Sequence, residues 1–385
     1  MPLNVLVKHC WSRIGYNLVR SLAKRGLNVC VGVDPRSGMT RFSRAMRAHF
    51  RHPNFELDPE GFIEALESAI EYYKPEVYLP SEEEILVVAR NADRLRRLGT
   101  LLPIDHIDNL DLLDNKRRLT ELAATLGIPT PLTVAPATSE DVVSFAQRAG
   151  KLIVLKVVRS SGARGVFFIP ADGLLGAVEK LVGQGRLQYG DFILQSFVEG
   201  IGYGVSLLLC NGEVRAKFTH RRIREKWHTG GPSTVRISDT HEMLEDYAVR
   251  LLKAVGFHGV AMVEFRDNAE TGEAWLLEVN PRFWGSLGLA IAAGVDFPYL
   301  LYRMARDGDV EPVNAYRKGL TAKWLLGDWL SFADHLKAGR WKKLRQSSGL
   351  KTDLYDDFYW DDPLPFLAEL VLYARKNIFE RRSRR

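Results

Sequence analysis

Short apolar runs alternate with amphipathic stretches from the start of the chain. Asn4 to His9 reads as a β-branched strand, Gly15 to Lys24 as an amphipathic helix and Asn28 to Asp34 as a second strand. This βαβ opening predicts a parallel α/β sheet. Pro59 to Tyr73 continues with a helical pattern, and Glu76 to Pro80 with a strand that ends in the acidic loop Ser81 to Glu84. The spacing then predicts a helix from Asp114 to Gly127, stopped by Ile128-Pro129-Thr130-Pro131. Strands follow at Lys151 to Val158 and Val166 to Ile169, joined by the glycine- and serine-bearing loop Arg159 to Gly165. Asp191 to Gly200 reads as a strand entering a polar turn, and Val205 to Thr219 as a hairpin turning at Asn211-Gly212. The stretch from His220 to Thr234 is basic, then glycine-rich, and is expected to be a loop lying across a site. Val260 to Phe265 and Ala274 to Asn280 are apolar runs around the turn-rich DNAETG segment, so they predict a second hairpin.

Bulk properties change this picture little. The 385 residues suggest about two to three domains, and 46% hydrophobic with 26% charged residues is the composition of an ordinary soluble globular protein. Cys10, Cys30 and Cys210 are far apart, with no metal or redox spacing, which fits buried thiols in a reducing cytoplasm. No apolar run reaches membrane-span length, and the chain opens on a strand rather than a signal peptide. The net charge of +6 suits a protein that handles anionic ligands; no nucleic-acid motif accompanies it.

The chemistry concentrates at Glu264 and at Glu278-Val279-Asn280-Pro281-Arg282. Glu278 and Asn280 share one strand face by the two-residue period. A carboxylate in the middle of each strand is costly to bury unless a cation compensates it. Two carboxylates and an amide oxygen suit Mg2+, a hard cation that often bridges phosphates, and Arg282 is placed to neutralise one. The competing reading is a pair of edge-strand acids facing solvent. Lys156 sits inside an apolar strand, where a lysine without a ligand is rare. Lys116 opposes its own helix dipole, which favours a ligand role. The acids at Glu82 to Glu84 either complement a helix N-terminus or receive a substrate amine. Arg221, Arg222 and Arg224 are either a solvated charge run or site residues, and Trp227 and Trp284 either pack or wall a pocket. The first turn, WSRIGYN, lacks GxGxxG, and the loop at 159–165 lacks the GxxxxGK[ST] pattern, so neither is a dinucleotide or P-loop site.

In this order, Lys116, Lys156, the loop at 160–165, the Gln195 to Gly200 turn and Glu264…Glu278-Val279-Asn280-Pro281-Arg282 resemble the ATP-grasp superfamily. The likeness is to its carbamoyl phosphate synthetase and carboxylate–amine ligase branch, and covers about residues 1 to 310. The resemblance implies an α/β and α+β multidomain chain with a Rossmann-like N-terminal domain at 1–112. A lid would follow at 113–194, a metal- and ATP-binding domain at 195–310 and a helical extension at 311–385. It implies ATP contacts from Lys116, Lys156, Ser161, Gly162, Gly165, Gln195, Phe197, Val198 and Glu199. Glu264, Glu278 and Asn280 would hold Mg2+, with Mn2+ as a substitute, while Lys156 acts on the phosphates and Arg282 contacts the transferred phosphate or the substrate carboxylate. Arg222, His228, Gly230 and Gly231 would lie on the substrate side. The family's ribose carboxylate often falls several residues past the hinge, where this chain has Gly202-Tyr203-Gly204.

The activity so implied is ATP-dependent activation of a carboxylate as an acylphosphate, followed by coupling to an amine. A carboxylase or carbamoyl-phosphate-forming enzyme is the rival, and a nucleotide-binding regulator without turnover a third reading. The expected partners are a small carboxylate and an amine, with a second copy of the chain as in dimeric family members. Beyond residue 311 the resemblance fades. Phe366 to Phe379 has near-helical apolar spacing and precedes a basic tail, which either docks on the core or touches an anionic membrane surface.

Overall fold

The computed structural model describes residues 3–8, 12–34, 38–159, 165–227, 230–337 and 352–382. The first unit comprises β1 (Val5–Val7), α1 (Arg13–Lys24), β2 (Val29–Val33), β3 (Ala48–Arg51), α2 (Pro59–Tyr73) and β4 (Val77–Leu79), followed by α3 (Ile85–Arg90) and α4 (Ala92–Arg96). Its sheet is wholly parallel, in the order β3-β2-β1-β4. Strands β1, β2 and β4 are buried on both faces, hence their unbroken apolar sequences. The chain order reverses between β1 and β4, so a crevice opens beyond their carboxyl ends, where open α/β sheets receive ligands. Ser12 bridges this crevice by donating to Glu82 Oε1 at 2.7 Å.

A pair of helices, α5 (Ile107–Asp114) and α6 (Lys116–Thr125), leads into the second unit. Asn115 ends α5 and caps α6, its side chain accepting from the N–H groups of Arg117 and Arg118 at 3.1 Å. The proposed boundary near residue 112 therefore falls inside α5. The second unit holds β5 (Thr133–Val134), α7 (Ser139–Arg148), β6 (Leu152–Val157), β7 (Val166–Pro170), α8 (Leu174–Gly183) and β8 (Phe192–Ser196). Its antiparallel sheet runs β5-β8-β6-β7, with β8 extending past residue 194. Val142 and Phe145 of α7 and Val178 of α8 cover one face, against Ile153 and Leu155. The other face, bearing Val154 and Lys156, is left for a cavity.

The third unit begins with β9 (Ile201–Cys210), β10 (Glu213–Trp227) and β11 (Gly230–Asp239). Asn211 and Gly212 both have positive φ, 49° and 85°, as a tight β9–β10 hairpin requires. Then come α9 (Glu242–Ala254), β12 (Gly259–Asn268), β13 (Glu273–Asn280), α10 (Leu287–Ala293) and α11 (Phe297–Asp307). The chain continues through β14 (Thr321–Lys323), α12 (Leu325–Lys337), β15 (Leu354–Tyr355) and α13 (Leu364–Arg382). The sheet order is β13-β12-β9-β10-β11-β14-β15. One face shares a core with α2 and α9 through Leu66, Leu251, Val263 and Phe265; the other shares a core with α1, α10 and α11 through Leu18, Leu22, Phe218 and Leu301. These shared cores bind the first and third units together.

Two expectations need correction. Residues 220–227 and 230–234 are not a loop: they belong to the paired strands β10 and β11. Residues Thr234 to Asp239, TVRISD, alternate polar with apolar as a strand does. The extension after 311 is not only helical, because β14 and β15 add two strands to the large sheet. Cys30 and Cys210 are buried free thiols, and burial pushes Cys30 up to about 12; Cys10 lies outside the described residues.

Candidate active site

A cavity of about 670 Å3 lies between the second and third sheets and extends to the β1/β4 crevice. Strand β12 supplies Met262, Glu264 and Arg266 to it, while Val263 and Phe265 enter the core, in simple alternation. Strand β13 is less simple. Ala274 and Leu276 face the core, and continued alternation would send Glu278 there too. Glu264 pairs with Glu278 but Phe265 pairs with Leu276, so Leu277 is an extra residue, a β-bulge. The bulge reverses the phase. Leu277, Glu278 and Asn280 now line the cavity, and Val279 takes the core position.

Glu264, Glu278 and Asn280 thus converge, with Asn280 Nδ2 donating at 3.4 Å to Glu264 Oε1 and to Glu278 Oε1. The Asn280 Oδ1 accepts from Arg282 at 2.9 Å. Burial pushes Glu264 up, against the pull of the Arg222 guanidinium. Burial acts the same way on Glu278, but Lys116, Lys156, Arg222 and Arg282 outweigh it and hold that carboxyl below its ordinary value. Two carboxylates and an amide at one point among cations are donors that fit Mg2+ with phosphate oxygens completing its shell. Among the described residues no cluster of three or more His, Cys, Asp and Glu side chains offers a site for a softer metal.

The cations come from all three units. Lys156 points from β6 into the cavity at 9% exposure; desolvation lowers it to about 8, partly offset by Glu278. Lys116 is the first residue of α6 and is likewise buried along the wall. Arg282 is held by Glu83 at 3.3 Å and by the Phe283 carbonyl at 2.9 Å. Its guanidinium is stabilised in the charged form because Glu83 and Glu82 outweigh its burial. Glu84, by contrast, is fully buried, accepts from the backbone N–H groups of Ser81 and Glu82 and pairs with Lys8 at 3.7 Å. The acidic run therefore divides: Glu84 ties the loop at the α3 N-terminus, while Glu82 and Glu83 face the cavity.

The other predicted positions divide as well. Gln195, Phe197 and Val198 line the cavity at the junction of the second and third units. Gln195 donates to Thr133 Oγ1 at 2.9 Å, whereas its buried Oε1 has no partner, which leaves an acceptor for a ligand N–H. Glu199 is exposed and not part of the lining, so the structure does not bring it to the site. Gly165 closes the β6–β7 hairpin with φ of 74°; Ser161, Gly162 and His228 lie outside the described residues. Gly231 lines the cavity, and Gly230 begins β11. Trp284 both packs and walls: its ring meets Phe297 at 5.0 Å and it borders the cavity.

Arg222 is a site residue, not a solvated charge. It contacts Glu264, pairs with Glu225 at 3.2 Å, and Glu225 pairs in turn with Arg266 at 2.8 Å. To reach Glu264 from β10 it must cross β9, about 4.8 Å on each side. The glycines Gly202 and Gly204 make that crossing possible. A Cβ on Gly202 would sit 2.7 Å from Arg222 Cδ, and one on Gly204 would sit 2.3 Å from His220 Cε1. Glycines alternating along an apolar strand were the available signal for this close approach. Arg13, Arg236 and Trp324 also line the cavity, beyond the glutamates, and the sequence reading missed them. The Arg13 guanidinium stacks 4.1 Å from the Trp324 ring, and Arg236 is 1% exposed in contact with Asp356.

A three-unit chain in which a small antiparallel sheet and a larger one enclose lysines opposite paired glutamates has the architecture of the ATP-grasp fold. Residues 188–327, from before β8 to the start of α12, match the family described as "ATP-grasp in the biosynthetic pathway with Ter operon". Biotin carboxylase from Campylobacter jejuni, in a structure titled as a β-γ-ATP complex, superposes with a TM-score of 0.67 at 14% identity, over 83% of this chain and 74% of that one. Acetyl-CoA carboxylase 2 of Oryza sativa is 32% identical over 151 residues, 38% of this chain but 6% of the relative's length. The formate-dependent phosphoribosylglycinamide formyltransferase of Rhodococcus jostii is 26% identical over 284 residues, 70% of this chain and 66% of that protein.

Proposed function

We propose that this chain is an ATP- and Mg2+-dependent ligase that activates a carboxylate as an acylphosphate and couples it to an amine, releasing ADP and phosphate. The observation that carries the reading is the convergence of Lys116, Lys156 and Arg282 on Glu264, Glu278 and Asn280 within one cavity. Mg2+ held by those three oxygen donors would neutralise phosphate charge. Gln195, Phe197 and Val198 receive the base, the free Gln195 Oε1 accepting from an N–H on it. Lys116 and Lys156 hold the phosphates, and Arg282 stabilises charge on the transferring group. A carboxylate lacks a leaving group at neutral pH; after phosphorylation it has one, and the amine attacks the acyl carbon as phosphate departs. The region beyond the glutamates, lined by Arg13, Ser286 and Trp324, is where the acid and amine meet, close to Glu82 and Glu83. The names of the relatives keep a carboxylating reaction as the second reading, since bicarbonate is also a carboxylate acceptor.

The test is ADP release from MgATP by the purified chain, with candidate carboxylates added singly, with amines, and against bicarbonate. Release that needs one organic acid and falls about 100-fold in Glu278→Ala supports the ligase. Release driven by bicarbonate alone transfers the reading to the carboxylases. Tight ATP binding with no release under any condition overturns both in favour of a nucleotide-binding regulator.

A further inference from the structure

Among the described residues, the C-terminal part of the chain exposes an apolar face on the side formed by α12 and α13. Trp329 of α12 is 55% exposed, Phe332 45% and Trp360 87%. On α13, Leu364, Leu367 and Val371 are each about half exposed, and their spacing of three and four residues puts them on one stripe. Ring contacts make the face continuous: Trp329 meets Phe366 at 6.2 Å, Phe366 meets Phe358 at 5.4 Å, and Phe358 meets Trp360 at 4.7 Å. Side chains of this size clustered in water mark an interaction surface.

Charge selects the occupant. Beyond Val371, α13 carries Arg375, Lys376, Arg381 and Arg382 against one acid, Glu380. A second copy of the chain docked here by a two-fold axis would bring these like charges together. An anionic lipid surface complements them, and it accepts tryptophan and leucine at the headgroup boundary. No described helix is long and apolar enough to cross a membrane, so the contact is peripheral. We propose that this face docks the protein onto an anionic bilayer surface, Trp329, Trp360, Leu367 and Val371 entering the interface while the basic residues engage the headgroups. The proposal is independent of the reaction the cavity performs.

The probe is the full chain with vesicles of phosphatidylcholine, alone or mixed with phosphatidylserine. Pelleting is expected with the mixed vesicles at low salt, and loss of pelleting at high salt. Leu367→Glu with Val371→Glu should lower the bound fraction about tenfold, as should Arg381→Glu with Arg382→Glu. Leu367 and Val371 are exposed, and an unchanged melting temperature shows that each variant is folded. Brominated lipid should quench the parent's fluorescence, and Trp360→Phe should remove part of that quenching. A parent that stays in the supernatant overturns the proposal. So does a folded double-glutamate variant that pellets like the parent, or sedimentation velocity showing a dimer that those glutamates dissociate.

Discussion

At the scale of single residues, the site is a balance of buried charges, and Lys156 is its most titratable member. Desolvation places it at about 8, below the value of about 10.4 it has in an unfolded chain. Between these values the unfolded chain binds the extra proton, so this group's contribution to stability rises with pH across that window. Phosphate binding has the opposite sign, because it favours charged Lys156. ATP affinity should therefore fall by up to about tenfold per pH unit above about 8, with proton uptake on binding. Lys156→Arg should flatten the profile, since arginine stays protonated throughout. Calorimetry at several pH values in two buffers of different ionisation heat checks both. Glu278 is the counter-charge. Replacing it by alanine should lower ADP release about 100-fold, in keeping with the loss of a metal ligand. It should also move the Lys156 titration further down, because Glu278 is what raises it; the pH profile of ATP binding in the variant shows whether it does.

At the scale of elements, two irregularities in otherwise regular strands aim the side chains. The glycines of β9 form a flat path over which Arg222 and His220 lie. Gly204→Ala should destabilise by about 1 to 3 kcal/mol through overpacking, because the stiff, fully buried His220 ring cannot withdraw. Gly202→Ala should cost less, since its first contact is the flexible stem of Arg222, yet it should weaken nucleotide binding by shifting that side chain from Glu264. Urea denaturation alongside ATP titration separates the two effects. The bulge on β13 has a sharper signature. Deleting Leu277 removes the extra residue, so Glu278 follows core-facing Leu276 directly and plain alternation keeps it on the cavity face. Leu277→Ala, which keeps the bulge, and the deletion should therefore both retain metal-dependent ATP binding. A folded deletion variant that no longer binds MgATP would refute the phase argument.

At the scale of the molecule, the segment after 311 completes the site from behind. Asp356 is fully buried, contacts Arg236 and lies 3.9 Å from Arg13. Its carbonyl also receives Asn17 Nδ2 at 2.7 Å. Asp357 caps α12 by accepting from the N–H groups of Leu325 and Leu326 at 2.9 Å, and Trp324 immediately precedes that helix. The terminal region thereby holds α1, β11 and Trp324 in one arrangement around the far end of the cavity. Asp356→Ala removes the counter-charge of a guanidinium that is 1% exposed, a change expected to cost about 3 to 5 kcal/mol. Chemical denaturation measures it. If the far end receives the substrates as proposed, the milder Asp356→Asn should raise KM for the acid more than KM for ATP.

Local pattern alone determined a good deal here. The βαβ opening, the lysine within an apolar strand, the β9–β10 hairpin turn and the pairing of Glu264 with Glu278 were all legible, because each depends on periodicity or turn chemistry within about ten residues. Tertiary structure decided the rest. A bulge adds a residue without leaving a compositional mark, so the phase of Glu278 is visible only against its partner strand. Residues 220–227 and 230–234 looked too polar and glycine-rich for strands, and became strands because neighbouring strands satisfy their backbone while Arg222 and Arg224 find carboxylates on β12 and α12. Arg13 and Asp356 are 343 positions apart, and no local rule relates them. Which buried charge neutralises which is a property of the packed fold, since the cost of leaving one unpaired arises only once water has been excluded.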